Sequence, residues 1–228
     1  MRETRGPRIY SSPMTKLRDL FFVCTAMVST LIVSTQVCAY LPEEGKVTAT
    51  FGTFVNRTVY PGSESFARTP FMGGFGLTAL GDVSDKGSLE ISMIYMRKMY
   101  VAEERSLVLA EETDLMHITM GYRWWLNPYF STSLNFFSAY SMGDTTVVQN
   151  DFIGLPDGPT TSAEDKTEYG LDLSLTGELW SNRKYAVVSD LRYSWDATKK
   201  KAEFGDHVAL MIGLRYLVQS EKRVEKRN

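Results

Sequence analysis

The sequence predicts an all-β chain, folded as an eight-stranded antiparallel up-and-down transmembrane β-barrel. Three observations indicate this fold. Apolar and polar residues alternate with a period of two in eight segments, these segments are longer than ordinary globular strands, and the links between them alternate in length. No stretch after residue 40 has the 3.6-residue period of an amphipathic helix, so no helix is predicted.

The first 39 residues have the features of a secretory signal peptide. The basic residues Lys16 and Arg18 precede an apolar run from Leu20 to Val33, and Val37-Cys38-Ala39 fits the small-residue rule for cleavage. A run of about 14 apolar residues is short of the ~20 that a membrane-spanning helix needs. We therefore expect export and cleavage before residue 40.

Removal of this segment changes the composition of the chain. A start at Met14 would give a more ordinary signal, and Cys24 and Cys38 both leave with it, so the mature chain cannot form disulfides. The removed residues include five Lys or Arg and two Asp or Glu, which leaves 20 basic and 25 acidic residues. An acidic chain is not expected to bind nucleic acid. Its length predicts one domain, a barrel over 40–218 with a short charged periplasmic tail over 219–228.

Eight segments are predicted to be strands, each with an apolar and a polar face. They cover residues 46–56, 69–80, 88–100, 113–125, 128–141, 167–180, 184–196 and 204–218. In the sixth segment, Leu171 and Leu173 alternate with Asp172 and Ser174. A soluble barrel would bury the leucines, whereas a membrane barrel would turn them towards lipid and keep the polar residues in its lumen.

The links between these strands alternate between long and short. The links at 57–68, 101–112, 142–166 and 197–203 are mostly long and polar, and the sequences GDVSDKG, LNP and SNR between them are short turn formers. This asymmetry is typical of outer-membrane barrels, with short periplasmic turns and longer extracellular loops. An even number of strands places both chain ends on the periplasmic side.

The polar faces of the strands collect charges of both signs. The predicted lumen charge network consists of Glu90, Arg123, Asp172, Glu178, Asp190, Arg192 and Arg215. An eight-stranded barrel leaves an interior just wide enough for side chains, and buried charges must be paired there. We therefore expect these charges to be structural rather than to line a diffusion pore.

Aromatic residues concentrate at the ends of the predicted strands, where two girdles would lie at the membrane interfaces. Near the short turns these are Trp124, Trp125, Tyr129, Phe130, Trp180, Tyr185 and Tyr216, and near the long links Tyr100, Tyr140, Tyr169, Tyr193 and Trp195. Aromatic residues of a β-sandwich core would instead lie in the middle of the strands.

The pattern over residues 40–218 resembles the small eight-stranded outer-membrane proteins of Gram-negative bacteria, the group that includes the OmpA transmembrane domain and OmpX. Its most specific part is Met211-Ile212-Gly213-Leu214-Arg215-Tyr216-Leu217-Val218, which is similar to the C-terminal assembly signal of that group. The resemblance implies an outer-membrane location, contact with lipid and lipopolysaccharide, and recognition by the barrel assembly machinery. The chain departs from the group because Met211 replaces a polar residue and QSEKRVEKRN follows. A peptidoglycan-binding domain of the OmpA type is therefore not expected.

Some small barrels are lipid A deacylases or acyltransferases, whose His, Ser and acidic residues activate a nucleophile. His117, Thr119 and Asp190 are the candidates that the sequence offers for this chemistry. The match is poor, because Thr119 is predicted to face the lumen and His207 has no hydroxyl residue two positions later. Two histidines without cysteines do not predict a metal site, and no cofactor is expected.

The long links carry the residues that could meet a partner. Lys199, Lys200 and Lys201 are candidates for contact with lipopolysaccharide phosphates, and acidic residues in the other links could hold bridging divalent cations. The sequence thus favours a monomeric barrel with a structural role in the envelope or a surface-interaction role through its loops, and not an enzyme. A lipid A-modifying enzyme, a small pore and a soluble lipocalin-like binding barrel remain the alternatives.

Overall fold

The computed structural model describes residues 40–60, 69–104, 106–153, 159–182 and 184–218. Its strands are β1 (Val47–Thr58), β2 (Met72–Asp82), β3 (Gly87–Glu104), β4 (Leu107–Trp125), β5 (Phe130–Ser141), β6 (Thr146–Asn150), β7 (Thr167–Ser181), β8 (Tyr185–Asp196), β9 (Glu203–Phe204) and β10 (His207–Val218). One 3₁₀ turn, η1, covers Ser162–Glu164. The predicted signal peptide and the predicted tail lie outside the described residues. No helix in the described part of the chain is long and apolar enough to cross a membrane.

Eight of these strands close into an antiparallel barrel. Each of β1–β5, β7, β8 and β10 pairs with its neighbours in sequence, and β1 also pairs with β10, from Val47 opposite Val218 to Thr58 opposite His207. Strands β6 and β9 are short and lie outside this ring. The predicted closed eight-stranded barrel is therefore confirmed, with strand bounds within a few residues of those expected for all but β3 and β4.

The apolar face of the strands points outward and the polar face points inward. On β7, Leu173 is 56% exposed, whereas Asp172 is completely buried. The same alternation is present on β4, where Met120 is exposed and Thr119 is buried. A band of outward leucine, isoleucine, valine, methionine and phenylalanine side chains is what a lipid environment requires and what a soluble barrel would bury.

Two of the short links are tight turns held by asparagine side chains. The Oδ1 atom of Asn127 accepts hydrogen bonds from the backbone N–H groups of Tyr129 and Phe130, at 2.8 and 2.9 Å. Asn182 makes the same bonds with Lys184 and Tyr185. An asparagine that bonds the backbone two and three residues later replaces the missing ladder hydrogen bonds of a turn. The end of the barrel with these turns, where β1 begins at Val47 and β10 stops at Val218, is called the lower end, and the opposite end the upper end.

The predicted link over residues 101–112 is wrong, because β3 continues to Glu104 and β4 begins at Leu107. Beyond Met96 and Leu115 the two strands leave the barrel wall and continue as a two-stranded hairpin. Strand β9 pairs with the outer edge of β3, and β6 pairs with the outer edge of β4. The result is a four-stranded sheet in the order β9-β3-β4-β6, which we call the upper sheet.

The extension was missed because acidic residues interrupt its apolar pattern. Met99 and Val101 face outward on β3, and Val108 and Ala110 on β4, yet all four are buried. Tyr60 and Phe204 pack against them with their rings 5.1 Å apart. The hairpin is thus stabilised by burial of apolar surface from distant parts of the chain, which a local pattern does not reveal.

Candidate functional site

The interior of the barrel holds a network of ion pairs centred on Arg192. Its guanidinium lies 3.0 Å from Glu90, 3.0 Å from Asp172 and 3.4 Å from Asp190. These carboxylates come from β3, β7 and β8 and are buried, as is Arg192 itself. A guanidinium with five fixed donors can satisfy several carboxylates at once, which offsets the desolvation of the charges.

Arg123 on β4 shares two of the same carboxylates. Its Nε donates to Oε2 of Glu90 at 2.7 Å, and Nη2 lies 3.3 Å from Oδ2 of Asp190. The remaining donors bond to hydroxyl groups of the neighbouring strands, namely those of Ser131, Ser174 and Thr176. Two arginines and three carboxylates therefore form one connected cluster across the barrel.

The last two residues of the predicted lumen network lie near the lower end. Arg215 on β10 pairs with Glu178 on β7, separately from the central cluster. The Arg215 guanidinium lies 4.4 Å from the ring centre of Tyr40 and 5.6 Å from that of Trp125. The Tyr40 hydroxyl in turn donates to Asp82 at 2.6 Å. These contacts hold residues just before β1 against the lower end.

The assignment of Trp125 to an aromatic girdle is wrong. Its side chain is 8% exposed and its indole nitrogen donates to the Ser88 hydroxyl at 2.9 Å inside the barrel. Trp124 precedes it on the same strand and is 44% exposed. Successive residues of a strand point to opposite faces, so both tryptophans cannot face lipid. Tyr100, also predicted to lie in a girdle, is buried because its side chain points to the interior as well.

A second group of buried charges lies nearer the upper end and was not predicted. The Nζ atom of Lys98 is 2.9 Å from Oε2 of Glu168 and 3.3 Å from Oδ2 of Asp196. Lys98 also lies 4.4 Å from the ring centre of Tyr100. The alternation along the strands could have revealed this group. Lys98 lies an even number of residues from Glu90, so both side chains point to the same face of β3. The same holds for Glu168 and Asp172 on β7, and for Asp196 and Asp190 on β8.

The three candidate catalytic residues are all buried in the interior, at 3% exposure or less. His117 contacts Asp172 at 3.0 Å, Thr119 accepts a bond from Arg192, and Asp190 is held by both arginines. Each candidate thus has a polar contact within the ion-pair network. This geometry does not provide a nucleophile, base and acid that act on one another.

The turn η1 closes over the upper end of the interior. Ala163 packs in the interior apolar cluster that includes Tyr100, Leu115 and Phe137. The Ser162 N–H and hydroxyl both donate to the Glu203 carboxylate at 2.7 Å. The Thr161 hydroxyl donates to Glu111, so links 142–166 and 197–203 are joined to the upper sheet.

Strand β6 is the most exposed element of the upper sheet. It pairs with β4 along one edge, and no other described strand pairs with it. Val147 and Val148 are 53% and 55% exposed, and Met142 and Ile153 beside the strand are also exposed. Glu112 lies opposite Thr146 in the register. The strand therefore presents an unpaired edge and apolar side chains beside acidic residues.

Comparison with protein families and with curated proteins finds no match for the sequence. Among solved structures, the outer membrane protein OprG from Pseudomonas aeruginosa is similar with a TM-score of 0.51 and 11% identity, over 78% of this chain and 99% of that one. Ail, the attachment invasion locus protein of Yersinia pestis, has a TM-score of 0.47 and 12% identity, over 77% and 99%. Neisserial surface protein A has a TM-score of 0.38 and 14% identity, over 77% and 100%.

The chain has the fold of the small outer-membrane β-barrels. At identities of 11–14% the similarity shows the fold alone. It therefore gives no information about the role of the charged interior described above.

The other predicted girdle positions of this outer-membrane barrel fold are exposed on its outer face. Near the lower end, six side chains are 39–47% exposed, namely Trp124, Tyr129, Phe130, Trp180, Tyr185 and Tyr216. Near the upper end, four are 41–45% exposed, namely Tyr140, Tyr169, Tyr193 and Trp195. An amphipathic aromatic ring is favoured at the headgroup level of a membrane. These ten side chains are therefore placed where two girdles would lie.

The three lysines proposed for lipopolysaccharide contact lie in the link between β8 and β9. Lys199 is 3.0 Å from Asp206, and Lys200 is 3.2 Å from Asp165 and donates to the Thr161 carbonyl at 2.6 Å. Lys201 is exposed. Two of the three ammonium groups thus serve to hold the links together, so phosphate contact by these lysines stays a prediction.

Proposed function

We propose that the chain is a surface-interaction protein of the bacterial outer membrane, in which the barrel is a rigid anchor and the upper sheet binds a partner outside the cell. The outward apolar band and the two groups of exposed aromatic residues support the membrane location. The filled interior supports an anchor rather than a conduit, because paired charges and apolar side chains occupy it.

The observation that carries the proposal is the outer edge of β6, with which no other strand of the described residues pairs. An exposed edge strand presents unpaired N–H and C=O groups to which an extended peptide can add as a further strand. Natural edges are usually protected by bulges, charges or covering loops. Strand β6 has a register shift at Val148, between Val147 and Gln149, yet Val147 and Val148 both remain more than half exposed. A sheet of this kind is suited to bind another polypeptide in extended conformation.

The charge around β6 restricts the partner. Glu112 lies opposite Thr146, and Asp151 follows the strand and bonds to Val108 by both its N–H and its carboxylate. Glu104 is exposed at the tip of the neighbouring hairpin. An extended segment in which apolar and basic residues alternate would complement both the apolar and the acidic character of this edge.

The membrane location is tested with cell envelopes that contain the tagged chain. The outer membrane is isolated, and boiled and unboiled samples are compared on a denaturing gel. We expect the protein in that fraction, with a mobility that shifts only on boiling. A periplasmic protein without a shift would contradict the location.

Binding is tested with the full barrel in lipid nanodiscs and a synthetic peptide in which valine or threonine alternates with lysine. We expect saturable binding that Val148→Lys weakens at least several-fold, because it places a cation against a cationic partner. The matched control is Val83→Lys, which changes an exposed valine in a turn at the lower end. Equal affinity of the two variants, or equal binding of a peptide with proline at alternate positions, would refute the proposed edge.

A further inference from the structure

Four polar side chains meet in the middle of the barrel, between the ion-pair network and the upper charges. His117 Nε2 lies 3.0 Å from Oδ2 of Asp172, and the rings of His117 and His207 are 5.7 Å apart in an edge-to-face arrangement. Ser194 on β8 lies opposite both Asp172 on β7 and His207 on β10. All four side chains are at most 1% exposed.

Several polar atoms of this group lack a hydrogen-bond partner among the described residues. They are both ring nitrogens of His207 and Nδ1 of His117. The Ser194 hydroxyl lies within hydrogen-bonding range of the Asp172 carboxylate. Buried polar atoms in folded proteins are almost always paired with protein or with ordered water. A histidine with two unpaired nitrogens at complete burial therefore indicates that something else contacts it.

The hydrogen bond to Asp172 determines the form of His117. A carboxylate accepts only, so Nε2 of His117 carries the proton in this bond and Nδ1 is the atom left without a partner. A neutral His207 ring has one donor and one acceptor nitrogen. The missing partner must therefore both accept and donate at His207, and it must also reach Nδ1 of His117.

We propose that this group is a buried hydration site, in which ordered water joins His117 to His207 beside Ser194 and Asp172. A buried water molecule makes about three hydrogen bonds to otherwise unpaired polar groups, and here donors and acceptors from four strands converge. A carbonyl, an ammonium or an apolar guest lacks the combination of donor and acceptor that the two unpaired nitrogens of His207 need.

The composition of the group favours water over a metal ion. No cluster of three or more His, Cys, Asp or Glu side chains with the spacing of a metal site occurs among the described residues. One Asp172 oxygen is already shared between His117 and Arg192. A cation at this position would also lie close to the Arg192 guanidinium, which opposes it.

The site is tested by NMR on the complete barrel in lipid nanodiscs with ¹⁵N-labelled histidine. We expect magnetisation transfer from water to the ring protons of His207, and a proton on Nε2 of His117. Absence of water transfer to both rings in the wild-type protein would overturn the proposal. Addition of Zn²⁺ should leave both rings unchanged, and a saturable shift of both would replace the hydration site by a metal site.

A variant shows whether the water depends on both rings. His207→Leu removes two polar atoms at similar volume, so we expect water transfer to His117 to be lost while the urea midpoint stays equal to that of the wild type or rises. Val208→Leu, on the outer face of the same strand, is the matched control and should retain the transfer. Undiminished transfer at His117 in His207→Leu would overturn the proposal, and the wild-type measurement tests it even where this variant does not fold.

Discussion

Lys98 and Glu168 form a completely buried ion pair across the upper half of the barrel, with 2.9 Å between Nζ and Oε2. They belong to β3 and β7, which are not neighbours in the barrel. Asp196 on β8 joins the same ammonium at 3.3 Å. One cation thus connects three strands of the barrel and keeps two carboxylates paired away from water.

Removal of this cation should strongly destabilise the barrel. Lys98→Met leaves Glu168 and Asp196 buried without a counter-ion, and loss of one partner of a buried pair costs about 3–5 kcal/mol. The free energy of unfolding in urea, measured in lipid, checks this. Lys199→Met is the matched control, since its pair with Asp206 is partly exposed and worth at most about 1 kcal/mol. Equal losses of unfolding free energy in the two variants would show that the buried ion pairs of Lys98 do not stabilise the barrel.

The outward register is tested by an arginine at a lipid-facing position. Leu173→Arg should reduce the free energy of unfolding by about 2–4 kcal/mol if the residue lies near the middle of the bilayer. Val83→Arg is the control, because Val83 is similarly exposed but lies in a turn. Ser174 is no suitable control, since it is buried 3.2 Å from Arg123 and an arginine there would clash with that cation. If Leu173→Arg left the free energy of unfolding unchanged, the outward register of β7 would be contradicted.

The two adjacent tryptophans should respond differently to lipid. Trp124 is exposed on the outer face, whereas the indole of Trp125 is bonded to Ser88 in the interior. Brominated lipids quench only tryptophans that they reach, so Trp124→Phe should reduce the quenched part of the fluorescence and Trp125→Phe should leave it unchanged. The opposite result would reverse the inside and outside of β4.

Tyr40, which precedes β1, should make the unfolding free energy of the barrel depend on pH in alkaline solution. Burial, followed by the hydrogen bond to Asp82, raises the pKa of the Tyr40 hydroxyl above its usual value of about 10. A raised pKa means that the folded state favours the neutral phenol, so its contribution is complete below about pH 10 and is lost as the pH rises further. The difference in unfolding free energy between wild type and Tyr40→Phe should therefore shrink above about pH 10. A difference independent of pH would place Tyr40 in water.

A filled interior should conduct no ions. Arg123 and Arg192 occupy the centre with their carboxylates, and a small cavity beside Arg215 and Trp125 measures only about 20 Å³. We expect no reproducible conductance steps after reconstitution in planar bilayers, under conditions in which a known porin gives them. Regular conductance steps of one size would instead support the alternative that the chain forms a small pore.

Much of the barrel could be predicted because its physical signal is local. Lipid on one side and a polar interior on the other impose a period of two on every wall strand, as Leu171 and Asp172 illustrate. The same period placed Arg123 and Arg192 in the lumen. The prediction for Trp125 was wrong because it followed the concentration of aromatic residues at the strand end and not the alternation of inward and outward side chains along the strand.

The upper sheet could not be predicted from local pattern. Val101 is buried because Phe204, a hundred residues away in the chain, lies opposite it in the register of β3 and β9. The acidic residues beside it suggested a solvated loop. Similarly, η1 is ordered by Glu203 and Glu111, whose positions depend on the completed barrel. Contacts of this kind exist only once the distant strands have come together.

The seam between β1 and β10 has a kinetic consequence. The other wall pairings join strands that are much closer in the chain, and several are direct hairpins, such as β1–β2 and β2–β3. A β-hairpin forms in about 1–10 μs in isolation. The seam joins the first wall strand to the last, from Val47 opposite Val218. Ring closure therefore has the highest contact order of any step and is expected to limit the folding rate. Until β10 arrives, the chain has two open strand edges, and it must be shielded from aggregation during that interval.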